Sequence, residues 1–415
     1  MSRVLLFSQF VFLTTLIIPS SYAAGADWPQ WRGPHRDGMS PDTGLLTEWP
    51  SDGPPLAWKA AGIGGGFSSV SIAGSKIFTM GDGPERSFIY ALDLNGKVLW
   101  SAKVGRPAGG DGHPGPRCTP AVDGDLVFAL GQFGDLVCVE AATGKELWRK
   151  NLNQDFGGRM MSGWGNSESP LVDGDKVLCT PGGSAGTLVA LNKKTGDVIW
   201  QSKEYKDTAA YSSIIAAEIG GVRQYLQLTG SSVAGVAVED GHLLWRAPRP
   251  GRTAVVPTPI FHDNYVYVTS GYGVGCNLFK ITKSGADFSA EQVYANREMQ
   301  NHHGGVVLVG EHVYGHSDSR GWICQELKSG EVVWAEKQKL EKGSIAYADG
   351  HLYLRGQNQG TVVLIEATPK GFNEKGRFQP PDRSQRDIWA HPVVFGGKLY
   401  LRDQDVLLCY DVKKK

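Results

Sequence analysis

Short apolar runs of about four to six residues, each bounded by a Gly-containing turn, follow one another through most of this chain. The run Cys138-Val139-Glu140 ends on an acidic residue, turns through Thr143-Gly144, and returns as Lys145-Glu146-Leu147-Trp148. The same pattern recurs over 190–200 and 91–100, and in shorter form before Trp245 and Trp334. Gly, Asn and Asp take positive φ at little cost, so Asp-Gly and Thr-Gly between apolar runs predict hairpins. No stretch after the first residues keeps a 3.6-residue apolar period, and the pattern predicts an all-β protein.

The closing aromatic serves as a ruler. Trp58, Trp100, Trp148, Trp200, Trp245, Tyr294, Trp334 and Phe378 stand 42, 48, 52, 45, 49, 40 and 44 residues apart. Self-similarity at roughly 40–50 residues predicts repeated sheets set in a ring. Each unit reads as four strands; in the second these are 119–122, 126–130, 136–140 and 146–148. The last unit (391–400, then 406–411) has only three, while 56–60 is a lone fourth strand. Joining them predicts an eight-bladed β-propeller of four-stranded antiparallel blades, closed by the N-terminal strand and free of exposed sheet edges.

Outside the repeat, residues 1–23 read as a signal peptide: Arg3 is the positive region, 4–18 the apolar run, Ser21-Tyr22-Ala23 the cleavage site. The apolar run is short for a span of about 20 residues. No Cys follows it to carry a lipid, and no later segment predicts a membrane span. The mature protein is therefore expected to be exported, periplasmic or secreted, and a monomer. Residues 24–55 form a Trp-, Pro- and Gly-rich leader whose Trp28, Trp31 and Trp49 need burial, which predicts a segment packed on the ring of 56–415.

Lys+Arg and Asp+Glu balance at 42 each, so no field gathers nucleic acid or a membrane surface. Six cysteines in an exported chain ordinarily suggest disulfides. Here Cys138, Cys324 and Cys409 fall in the third strand of blades two, six and eight, too far apart to pair, and Cys118, Cys179 and Cys276 match nothing. Six free thiols are expected.

A meander puts the a–b and c–d turns on one face and the b–c and d–a loops on the other. The first set is short (Asp123-Gly124, Asp173-Gly174, Thr195-Gly196); the second is long (101–116, 149–166, 201–210, 246–256, 379–388). Function is expected on the long-loop face. Aligning the innermost strands puts Ser69, Thr119, Ser169, Thr258, Ser344 and His391 at one position. Arg117, Glu168, Tyr211, His303, Lys342 and Trp389, just before it, then ring the channel mouth. That mixture suits a polar ligand; alternatively the hydroxyls only satisfy strand ends. His316, Arg355 and Arg402 each stand two residues after a Tyr in blades six to eight, which predicts a cationic sector of the rim favouring an acidic group, or else a solvated ion-pair rim. His302 and His303 are expected to point to opposite sides of a strand, so no metal is expected there. Gly62–Gly66 opens no helix and is no phosphate loop, and no Gly-x-Ser-x-Gly nucleophile motif is present.

The repeat resembles the pyrroloquinoline-quinone (PQQ) repeat family of eight-bladed β-propellers, which includes quinoprotein alcohol dehydrogenases and BamB-like assembly propellers. The signature Ala-x-Asp-x-x-Thr-Gly-x-x-x-Trp is met at Ala190, Asn192, Thr195, Gly196 and Trp200. It recurs at Cys138, Glu140, Thr143, Gly144 and Trp148, and one residue short at Ala91, Asp93, Gly96 and Trp100. The resemblance covers essentially the whole mature chain and implies the fold rather than an activity. A dehydrogenase of this family would imply PQQ with Ca2+, adjacent cysteines against the quinone, and carboxylate and Asn ligands. No two cysteines are adjacent here, and Arg117, Asn166, Glu168 and Trp389 are the nearest positional candidates. The resemblance thus implies a BamB-like scaffold without clear catalytic machinery, binding a protein partner or a small polar or anionic ligand through the long-loop face. The alternative is a PQQ-dependent alcohol dehydrogenase of the polyvinyl-alcohol type.

Overall fold

The computed structural model describes residues 27–108 and 113–414; the expected signal peptide lies outside them. Eight four-stranded antiparallel blades form an eight-bladed β-propeller, seven of them from four successive strands and the eighth from three C-terminal strands and one N-terminal strand. In blade two the strands are Ala121–Asp123, Leu126–Leu130, Asp135–Glu140 and Glu146–Asn151, paired in order. The ring closes as the alternation predicted. Leu56–Ala60 pairs antiparallel with Val406–Asp411, placing Leu56 opposite Tyr410 and Trp58 opposite Cys409. Among the described residues one five-residue helix, Leu152–Phe156, departs from the all-β pattern; the Asn151 side chain caps it by accepting from the N–H groups of Asn153 and Gln154.

The repeat signature is explained by how blades dock. The indole Nε1–H of four closing Trp residues donates to a carbonyl of the next blade: Trp100 to Ala141 (3.3 Å), Trp148 to Lys193 (3.0 Å), Trp200 to Val238 (3.1 Å) and Trp334 to Thr368 (2.9 Å). The Gly of that next blade's turn lies flat on the same ring. A Cβ on Gly144 would stand 2.5 Å from Trp100, and one on Gly196 would stand 2.8 Å from Trp148. Both glycines also have φ in the left-handed region, +73° and +75°. Thr-Gly and Trp, a blade apart, are thus two halves of one contact. Trp245 departs, donating instead to Gln224 Oε1 within its own blade (2.6 Å).

The core is a series of apolar clusters shared between blades. One joins Phe78 and Met80 of blade one to Phe128 and Trp148 of blade two and Val177 of blade three. All six cysteines are buried free thiols. Blade five carries a hairpin of two ten-residue strands, Gly275–Ser284 and Asp287–Asn296, and its Lys283 lies over Gly220 of blade four. Among the described residues no helix is long and apolar enough to cross a membrane.

The leader enters the ring from the short-turn side. Trp28 exchanges two backbone hydrogen bonds with Ile72, and Pro29 accepts from Val122. Arg36 donates to Ser169 O and Pro170 O, and Arg32 to Val306 O, so two buried guanidiniums tie blades three and six together across the channel. Met39–Ser40 then adds a parallel fifth strand to blade seven.

Candidate functional site

The entrance to each innermost strand sets the site. Ser69 N–H donates to Thr119 Oγ1, Thr119 N–H to Ser169 Oγ, and Ser169 N–H to Ser213 Oγ, at 3.2, 2.9 and 3.0 Å. These hydroxyls stitch neighbouring blades together. Period two then decides what faces the channel. Two residues earlier stand Phe67, Arg117, Ser167, Tyr211, Val256, His302 and Trp389, from seven of the eight blades, and all line one cavity. Lys342, the eighth, is set back and donates to His302 Nδ1 at 2.9 Å.

That cavity is a half-open cup of about 210 Å3 on the long-loop side. Trp31 of the leader closes it from below, donating to Thr258 Oγ1 (3.1 Å) with its ring 4.5 Å from that of His391. Trp389 stacks on Phe67 at 4.4 Å and 26°. Arg117 binds the loops together, donating to Trp164 O and His113 O at 3.0 Å each. Tyr211 Oη shares a hydrogen bond with Ser162 Oγ, and Tyr272 Oη lies 2.7 Å from His302 Nε2. Burial, helped by Lys342, pushes His302 down to about 4. Burial also holds His303 well below its usual range, and with Arg32 it pushes His391 down to about 3. His302, His303 and His391 are therefore neutral at physiological pH. Ser167 Oγ, His303 Nδ1, His391 Nδ1 and Trp389 Nε1 have no hydrogen-bond partner among the described residues.

Of the residues expected at the mouth, Arg117, Tyr211, His303 and Trp389 come together in this cup. Glu168 does not. Standing one residue before Ser169, it turns into its own blade, where Oε1 accepts from Thr180 N–H (2.5 Å) and Oε2 from Thr180 Oγ1 (2.8 Å). It is the blade-three counterpart of Ser68 and Cys118, whose side chains accept the N–H groups of Met80 and Leu130. Burial pushes its carboxyl up to about 7. Asn166 is buried as well, its amide on Gln132 O at 3.4 Å.

The expected cationic sector is corrected. Arg355 and Arg402 are 0% and 1% exposed. Arg355 Nη1 donates to Arg402 O (2.6 Å), while Arg402 reaches Gln404 O, Gly64 O, Met80 O and Thr79 Oγ1. Their stems follow strands packed between blades, so the heads satisfy carbonyls rather than solvent. His316 is held neutral by burial and Lys342, pushed down to about 4. The pair His302-His303 is corrected too: 301–305 is not strand, and both rings line the cup with centroids 5.0 Å apart. Trp31, His113, Trp164 and Tyr272 were not anticipated; the first lies in the leader and the others in irregular loops. Phe67, Ser167, Val256 and His302 were findable by counting two residues back from the aligned position in every blade.

The donor set does not fit PQQ with Ca2+. Ca2+ takes six to eight oxygens, several of them carboxylate, yet none of the described residues lining the cup is a carboxylate. The nearest candidates, Glu168 and Asn166, are committed to Thr180 and Gln132.

A family model described as "Outer membrane protein assembly factor BamB" matches residues 85–336. Among curated proteins, the chain is 24% identical over 267 residues to the BamB of Shewanella oneidensis, covering 58% of this chain and 61% of that protein. It is 28% identical over 165 residues to the quinoprotein alcohol dehydrogenase PedH of Pseudomonas putida, covering 38% of this chain and 26% of that one. The chain thus spans less than two thirds of the length of each. Two solved structures share the fold: BamB from Moraxella catarrhalis (TM-score 0.62, 14% identity, 86% of this chain and 99% of that one), and quinohemoprotein alcohol dehydrogenase from Comamonas testosteroni (TM-score 0.64, 11% identity, 94% and 81%). With its Trp–Gly docking, its closed ring of eight blades and a family match over more than half its length, this chain belongs to the BamB family of PQQ-repeat β-propellers.

Proposed function

We propose that this protein is an exported binding scaffold that engages a ligand, or a side chain presented by a partner protein, in the cup over the channel mouth. The observation that carries the reading is the unpaired polar set, Ser167 Oγ, His303 Nδ1, His391 Nδ1 and Trp389 Nε1, buried in an otherwise aromatic wall. Each such group costs about 1–3 kcal/mol when left without a partner, so a ligand that supplies partners gains that much. The similarity to BamB proteins supports a scaffold. The dehydrogenase alternative is weaker: the likeness to PedH is partial, no cysteines are adjacent, and none of the described residues of the wall is a carboxylate ligand for Ca2+.

A thermal-shift screen tests the reading. A compound or partner peptide that seats in the cup raises the melting temperature of the wild type but not of Trp389→Ala, and Lys145→Ala on the opposite face leaves the shift intact. Incubation with PQQ and Ca2+ should leave no retained chromophore and no dye reduction with alcohols. A stoichiometric quinone with alcohol-dependent dye reduction would overturn the scaffold in favour of the dehydrogenase.

A further inference from the structure

Resting on that reading, we propose that the cup takes a neutral, puckered ring bearing several hydroxyl groups, that is, a pyranose sugar. The hydrogen-bond directions favour it. His391 Nε2 lies 3.0 Å from the carbonyl oxygen of His303, which only accepts, so the proton sits on Nε2 and Nδ1 is a bare acceptor. His303 Nε2 lies 2.6 Å from Gln357 Oε1, which fixes the same tautomer and leaves its Nδ1 an acceptor as well. Trp389 Nε1–H is a donor and Ser167 Oγ is either. A ligand must therefore offer at least two donors and one acceptor within a mostly aromatic shell.

Charge narrows the class. A carboxylate or a quinone would set acceptors against the two imidazole lone pairs. Among the described residues of the wall a cation would meet no carboxylate, with Arg117 at the rim and Lys342 behind His302. Shape narrows it further. A flat heterocycle is best held in a slot between parallel rings, but the one stacked pair among the described residues, Phe67 and Trp389, is closed upon itself at 4.4 Å. The other pairs are tilted: Trp164–Tyr211 by 35°, His303–Trp389 by 37° and Tyr272–His302 by 78°. A rounded wall of that kind suits a puckered ring whose C–H faces lie on aromatic carbon while its hydroxyls point outward. A half-open cup of about 210 Å3 has room for one such ring.

The experiment is titration of the full chain, by tryptophan fluorescence and calorimetry, with methyl β-D-glucopyranoside, methyl β-D-galactopyranoside, methyl α-D-mannopyranoside and N-acetylglucosamine. Glucuronate, glucosamine and adenosine serve as anionic, cationic and flat probes. At least one neutral glycoside should bind, with the charged sugars weaker by tenfold or more. Ser167→Val and His303→Gln should each weaken it by about fivefold or more, with melting temperature confirming that both fold. Should either fail to fold, Ser167→Ala carries the same test. Binding of adenosine or glucosamine that Trp389→Ala abolishes, with no glycoside bound, overturns the sugar but leaves the cup as a binding site. Glycoside binding unchanged in all cup variants puts the site elsewhere and overturns both, as does the absence of any Trp389-dependent ligand from these seven probes and the screen.

Discussion

One residue of register separates a wall of the cup from a buried strut within a blade. Ser167 and Glu168 are neighbours in the segment leading into the strand Leu171–Asp173, yet the first turns to the cavity and the second to Thr180. Strand alternation hides Arg402, so Arg402→Ala should cost at least about 3 kcal/mol by leaving buried carbonyls unpaired; urea unfolding measures it, and an unchanged midpoint would contradict the assigned bonds. Proton linkage gives a second expectation. Unfolded histidines take up a proton near pH 6.5, whereas His302 and His316 hold off until about 4 and His391 until about 3. Their contribution is present above pH 6.5 and lost as pH falls toward 4, a few kcal/mol each at about 1.4 kcal/mol per pH unit. Glu168, raised to about 7, has the opposite sign: its contribution is present below about 4.5 and lost as pH rises through 7. The melting temperature should therefore fall between pH 7 and 5, and Glu168→Gln should gain stability over the wild type at pH 8, by less at pH 5. At this scale the sequence was legible only where the register was counted correctly. Arg117, Tyr211 and Trp389 were found, while Arg355 and Arg402 were misplaced because chain position alone does not tell a rim from an inter-blade seam.

Among the elements, the blade is recognisable in sequence because its docking contact is local in pattern and long in range. Gly144 must accommodate Trp100 and Gly196 must accommodate Trp148. Gly144→Ala, placed 2.5 Å from the ring at φ +73°, should cost about 2 kcal/mol or more. Lys145→Ala beside it should cost under about 0.5 kcal/mol; equal effects in thermal melts would mean that the ring contact carries no stability. Strand pairing, turn positions and ring closure were all readable from that repeat. The ten-residue hairpin of blade five and the helix 152–156 were not, since neither breaks the alternation or supplies the length that periodicity needs.

For the whole molecule, closure and leader act together. Removing 54–60 would take the fourth strand from blade eight and expose the paired edges at Val406–Asp411, so the deletion should lower the melting temperature of the entire ring in one transition. A variant that melts unchanged would show that closure contributes nothing. The leader binds blades one, two, three, five, six, seven and eight before the chain reaches its own first sheet. Its course was not legible, because no periodicity marks a segment held by single hydrogen bonds and buried Trp and Arg side chains.

The pairing of Leu56 with Tyr410 also has a timetable. A ribosome delivering about 5–20 residues per second makes the first partner roughly 18–70 s before the second. Through that interval the nascent chain has a finished strand with nothing to pair with and a growing arc with an open end. Only the last few residues convert the arc into a ring. A carrier that holds the chain extended until synthesis is complete would protect that edge, and a stall within the final blade would release a product with seven sound sheets and one adhesive seam.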